Sequence, residues 1–129
     1  MIKNIGLAWI SVTDLQQSKK FFTNVLGLQV SSDSAEHGWM ELKAEGDSFL
    51  LGVAQVQDDK KEGCESVLPG QNAIVTMTVD DIVTAKAMLE QKEVKVLGDI
   101  LEVPGHVKML LFADQDGNKF QLVQMLDGK

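Results

Sequence analysis

Apolar and polar positions along the 129-residue chain alternate with two different periods, and the places where the period changes mark the elements. Residues 5–12 form a hydrophobic run of strand length. Asp14 follows as a helix N-cap, with Gln17 at the third helical position in a capping-box-like pattern. Over residues 15–26 the apolar or small residues Leu15, Ser18, Phe22, Val25 and Leu26 recur at helical spacing, and Gly27 supplies the left-handed position after the helix. Strands are predicted over 28–32, 38–44 and 48–55, the last two joined by a Glu45-Gly46-Asp47 turn. The first stretch therefore reads βαβββ.

The same order restarts after a polar stretch punctuated by Gly63, Pro69 and Gly70. Residues 73–79 read as a strand, Asp81 stands where Asp14 stood, and Ile82, Ala85, Met88 and Leu89 carry the apolar helical stripe. The shift is 81 − 14 = 67, and under it Leu7 matches Ile74, Ala8 matches Val75, Ser11 matches Thr78 and Val12 matches Val79 without a gap. Strands follow over 94–97, 106–113 and 119–125, with Asp114-Gln115-Asp116-Gly117-Asn118 as the final turn. The expected organisation is one α+β domain: module one at 1–56, a linker at 57–71 and module two at 72–129.

Composition narrows the partners. With 44% hydrophobic and 24% charged residues the chain suits a packed globular domain, and no apolar run reaches the roughly 20 residues of a membrane span. Twelve basic residues against 19 acidic ones give a formal charge of −7, which repels polyanions, so neither nucleic acid nor a membrane is an expected partner. All the basic residues are lysines, so no bidentate guanidinium fork is present for a carboxylate or phosphate. The first residues lack the unbroken greasy stretch of a signal peptide, and the lone Cys64 has no thiol partner. A reduced, cytoplasmic setting is expected.

The residues Val12-Thr13-Asp14-Leu15, Ser18, Phe21-Phe22 and Val25-Leu26-Gly27-Leu28, then Val79-Asp80-Asp81-Ile82, and finally Asp114-Gln115-Asp116-Gly117-Asn118 with Phe120 and Leu122, resemble the vicinal-oxygen-chelate superfamily. That family groups glyoxalase I, extradiol dioxygenases, fosfomycin-resistance enzymes and bleomycin-resistance proteins, and the likeness covers nearly the whole chain. It implies two βαβββ modules in tandem, forming a curved mixed sheet around a cleft, usually completed in a homodimer. In metal-dependent members it also implies a ligand seven residues before each helix-capping Asp, which falls on Leu7 and Ile74 here. A third ligand falls on Gln121, and a fourth within 49–52, a stretch without a metal-binding side chain. Leucine and isoleucine have no lone pair to give. No metal or other cofactor is expected, and no catalytic residue is assigned.

Alternation along the first strand puts Leu7, Trp9 and Ser11 on one face and Ala8, Ile10 and Val12 on the other, the second set packing on the helices. The first set lines the expected cleft together with Ile74, Thr76 and Thr78, and with Lys119, Gln121 and Val123 of the last strand. Trp39 and Glu41 share a face, and an aromatic wall beside a carboxylate suits a cationic or amphipathic guest, the alternative being a dimer contact or a solvated pair. His106, after Pro104-Gly105, is a candidate base or ligand, against a turn-edge histidine bonded to backbone. The ligand-binding set is thus Leu7, Trp9, Trp39, Glu41, Ile74, Thr76, His106 and Gln121. Two functions follow: a metal-free protein binding a small, partly apolar molecule, or a glyoxalase-like lyase, isomerase or dioxygenase. The enzyme would use a divalent metal at a non-standard site, such as one drawn from His37, Glu41, His106 and Gln121, or acid–base chemistry at His106 and Glu41. A decayed cleft that leaves only a structural or regulatory module is the third possibility.

Overall fold

Two aspartates start both helices in the same way. Asp14 Oδ1 accepts from the backbone N–H groups of Gln16 and Gln17 at 3.0 and 3.1 Å, and Asp81 Oδ1 accepts from Val83 and Thr84 at 3.0 and 3.3 Å. Bonds from Thr84, first its hydroxyl and then its backbone N–H, hold the Asp81 carboxyl below its ordinary pKa. The next orphan donor is satisfied from far along the chain. Leu15 N–H donates to Gln55 Oε1 at 3.0 Å, and Ile82 N–H donates to Gln124 Oε1 at 2.8 Å. Each helix is therefore tied to the last strand of its own module by a glutamine amide.

The computed structural model describes residues 1, 6–46, 49–56, 68–71 and 74–126, and the chain divides into two compact units, Met1–Asn72 and Ala73–Lys129. Most of the expected 57–71 linker, Cys64 included, lies outside the described residues. Unit one holds β1 (Leu7–Val12), α1 (Leu15–Lys20), β2 (Gln29–Ser34), β3 (Trp39–Lys43) and β4 (Leu50–Gln55). Its sheet has the order β1-β4-β3-β2, with β1 parallel to β4 and the other pairs antiparallel. Unit two holds β5 (Val75–Thr78), α2 (Ile82–Gln91), β6 (Lys95–Val96), β7 (Leu101–Val103), β8 (Val107–Ala113) and β9 (Lys119–Met125). Its order is β5-β9-β8-β6, with β7 also paired to β8. The α+β class with two mixed sheets stands as expected. No helix among the described residues is long and apolar enough to cross a membrane.

One face of each sheet is the core. In unit one Ile10, Val12, Met40, Leu42, Leu51 and Val53 are buried together with Leu15 and Phe22 from the helical segment. In unit two Leu110, Phe112, Phe120 and Leu122 are buried with Ile82 and Leu89 of α2, the cross-strand pair Phe112 and Phe120 stacking at 5.5 Å. The final turn is held by Asp114, whose Oδ1 accepts from the N–H groups of Asp116 and Asn118 at 2.9 Å while Oδ2 accepts from Asn118 Nδ2 at 3.0 Å. Burial pushes the Asp114 carboxyl up in pKa against those bonds.

The structure departs from the sequence reading at several places. The α-helical pattern predicted through residue 26 ends at Lys20, and Phe21–Val25 form a wider turn in which Leu26 N–H reaches back five residues to the Phe21 carbonyl at 3.2 Å. Met88, expected on the buried stripe, is 38% exposed. At about 100° per residue it lies about 120° around the helix from Ile82, whereas Leu89 lies about 20° away. A third difference is β7, which the hydrophobic pattern did not indicate: three residues with Glu102 at the centre, whose strand partner among the described residues is β8.

Candidate functional site

The face of unit one opposite its core carries Leu7, Trp9 and Ser11 on β1, Gly52 and Ala54 on β4, and Trp39 and Glu41 on β3. Register sets Trp9, Gly52 and Glu41 in one row across three strands, since Gly52 pairs with Trp9 on one side and Glu41 on the other. Trp39 lies one step along, opposite Ala54. Its indole meets Trp9 edge to face, with ring centroids 6.2 Å apart at 61°. Its Nε1–H donates to Glu41 Oε2 at 3.0 Å. Trp9 stays 45% exposed, and Trp39 and Glu41 are half-buried.

Unit two carries the remaining candidates. Thr76 and Gln121 are register partners on β5 and β9, and the Thr76 hydroxyl donates to Gln121 Oε1 at 3.0 Å. Ile74 precedes β5 and is 48% exposed. His106 sits in the turn before β8, where its N–H donates to the Val103 carbonyl and its own carbonyl accepts from Leu126 N–H, both at 2.9 Å. Gln121 pairs with Leu111, five residues further along β8, so His106 stands roughly 17 Å from that pair along the strand. Within the units the structure thus joins Trp9, Trp39 and Glu41 in one group and Thr76 with Gln121 in another, while His106 joins neither. Gly52, which sequence reasoning missed, belongs to the first group.

The donor set implied for a metal does not fit one. Leu7 and Ile74 are aliphatic, and the carbonyl oxygen of Gln121 already accepts from Thr76. His37 is exposed beside Glu36, at 3.8 Å, and Glu41 is engaged by Trp39. Among the described residues no three His, Cys, Asp or Glu side chains are grouped to hold an ion.

A sequence model described as the Glyoxalase/Bleomycin resistance protein/Dioxygenase superfamily matches residues 4–122. The chain is 26% identical to the uncharacterized protein YetH of Bacillus subtilis over 125 residues, covering 95% of this chain and 98% of that protein. Among solved structures it is similar to TnmS3, an antibiotic binding protein from Streptomyces sp. CB03234, with TM-score 0.78 and 24% identity over 96% of this chain and 97% of that one. A superfamily member from Sphaerobacter thermophilus also gives TM-score 0.78, at 22% identity, covering 95% of this chain and 98% of the other. At these identities the structural likeness establishes the fold.

Proposed function

The chain belongs to the glyoxalase/bleomycin resistance protein/dioxygenase superfamily, and from that premise we propose that it is a small-molecule-binding protein that holds a partly apolar ligand without a bound metal. The observation that carries this reading is the indole pair of Trp9 and Trp39 beside Glu41, an amphipathic surface with aromatic area and a placed carboxylate. The aliphatic side chains of Leu7 and Ile74 support it, because they remove two donors a metal enzyme of this family would use. That TnmS3, of the same fold, is described as an antibiotic binding protein is a further support. We take Leu7 to extend the same face of unit one, and Ile74, Thr76 and Gln121 to offer a second, mixed surface on unit two. His106 is the weakest member of the set, being bonded through its backbone in a turn.

The chain's two tryptophans are the pair at this site and it has no tyrosine, so its indole emission reports the site directly. A panel of partly apolar small molecules is titrated while indole fluorescence and melting temperature are followed. A ligand that binds the folded state should quench the emission and raise the melting temperature, since binding only to the native form stabilises it. Trp39→Ala should abolish both responses. A panel in which nothing binds, together with a stoichiometric divalent ion in protein purified without chelator, would overturn this reading in favour of a metal enzyme. In solution the protein is expected to be a cytoplasmic homodimer.

A further inference from the structure

Gly52 is buried in the middle of β4, where any side chain would have to share space with the Trp39 ring and the Trp9 Cβ. A Cβ built on it would overlap the Trp39 six-membered ring, lying 2.7 Å from Cζ2, and would stand 2.9 Å from Trp9 Cβ. Contacts that short are not tolerated, so the bare backbone at this position is what lets the Trp39 indole lie across β4. The other side of the ring is held by its Nε1–H on Glu41 Oε2. The indole is fixed from both sides, which removes rotamer freedom before any guest arrives.

That arrangement sorts guests by charge. The Trp39 N–H is spent on Glu41, so the indole has no donor left for an anionic or neutral acceptor. Glu41 keeps its second oxygen, which no donor among the described residues reaches. Lys43, the next residue on this face of β3, is exposed and forms no ion pair with Glu41 among the described residues. Indole faces attract cations, and a carboxylate at their edge adds both charge and a hydrogen-bond acceptor. Trp9 and Glu41 stand two strand spacings apart, about 10 Å, a span a planar fused ring can cover.

We propose that Glu41, aimed by the Trp39 Nε1–H and with Gly52 as the positioning residue beneath the indole, makes this face select planar aromatic guests carrying a hydrogen-bond-donating cation over neutral or anionic guests of the same shape. The proposal rests on the small-molecule reading above and adds the class of ligand.

Three acridines of one ring shape test it by calorimetry at neutral pH: 9-aminoacridine, a cation; acridine, neutral; and acridine-9-carboxylate, an anion. The cation should bind about tenfold or more tighter than acridine, the anion weakest of the three. Glu41→Gln should erase the preference, bringing the affinity for 9-aminoacridine to within about twofold of that for acridine in the same variant. Gly52→Ala should weaken all three and shift the indole emission. If that variant fails to fold, Trp39→Phe serves in its place. It keeps a ring over Gly52 but cannot donate to Glu41, and should bind acridine while losing most of the preference. Equal binding of the three probes, or a preference that survives Glu41→Gln, would overturn the proposal and leave the small-molecule reading standing. Failure of 9-aminoacridine to bind also overturns it, even where other members of the wider panel bind. Only when that panel fails too does the broader reading fall.

Discussion

Ser18 shows how a single atom can record the difference between two otherwise matching modules. Its side chain is 1% exposed on the core side of α1, and its hydroxyl is the one buried side-chain polar atom among the described residues with no hydrogen-bond partner. A buried hydroxyl without a partner has given up its water for nothing. Under the shift of 67 the matching position in α2 is Ala85, which lacks the hydroxyl and has the better helix propensity. Ser18→Ala should therefore stabilise the protein by about 1 kcal/mol in urea unfolding. A variant no more stable than the parent would mean that the hydroxyl finds a partner in solution. At this scale the sequence was legible where the argument is local: Trp39 and Glu41 stand two apart in one strand, so alternation alone puts them on one face. Gly52 was not legible, because its role depends on tryptophan side chains reached through strand pairing from 13 and 43 positions away in the chain.

At the scale of elements the two helices differ by one residue, and both the wide turn and an unusual backbone follow from it. Asp14 to Gly27 is 27 − 14 = 13 steps, whereas Asp81 to the corresponding left-handed residue is 93 − 81 = 12 steps. The extra residue in the first helix is taken up in the wide turn Phe21–Val25, after which Gly27 leaves at φ 75°. The second helix has no extra residue and closes tightly, Val94 N–H returning to the Leu89 carbonyl at 2.9 Å. Its left-handed residue is Glu93, at φ 61°, the only residue other than glycine at positive φ among the described ones. Glu93→Gly should relieve that strain and stabilise the protein by about 0.5–1 kcal/mol, read by thermal or urea unfolding. No gain would show that Glu93 compensates through contacts of its own. The one-residue difference explains what the hydrophobic pattern resolved. Both caps were visible because aspartate at a helix start has a local cause, whereas a π-type turn has no residue signature and β7 has too few residues to show a period. β2 shows the same limit from the other side. Its six residues include one aliphatic, Val30, and it reaches Ser34, past the predicted end at 32, because Asp33 and Ser34 pair with Met40 and Trp39 of β3.

At the scale of the whole molecule the charge and the apolar surface pull in opposite directions. The outer face of the unit-two sheet places Leu101 and Val103 of β7 opposite Met109 and Val107 of β8, which in turn pair with Val123 and Met125 of β9. Leu101 is 65% exposed, Val103 42% and Met125 39%, so this stretch of the face leaves oily surface in water. A second copy of the chain covering it would gain the hydrophobic term but bring together two molecules of formal charge −7. Salt decides between these terms, since ions screen the repulsion without weakening the burial. The expected homodimer should therefore sediment as two 14.1 kDa chains more completely at 0.5 M salt than at low salt, about 3–10-fold tighter by the screening argument. Leu101→Lys should shift it towards single chains with an unchanged far-ultraviolet circular dichroism spectrum. A parent protein that sediments as one chain under both conditions would rule the dimer out. A dimer that Leu101→Lys leaves intact would move the contact to another face, and a dimer that loosens as salt rises would mean that ion pairs hold it.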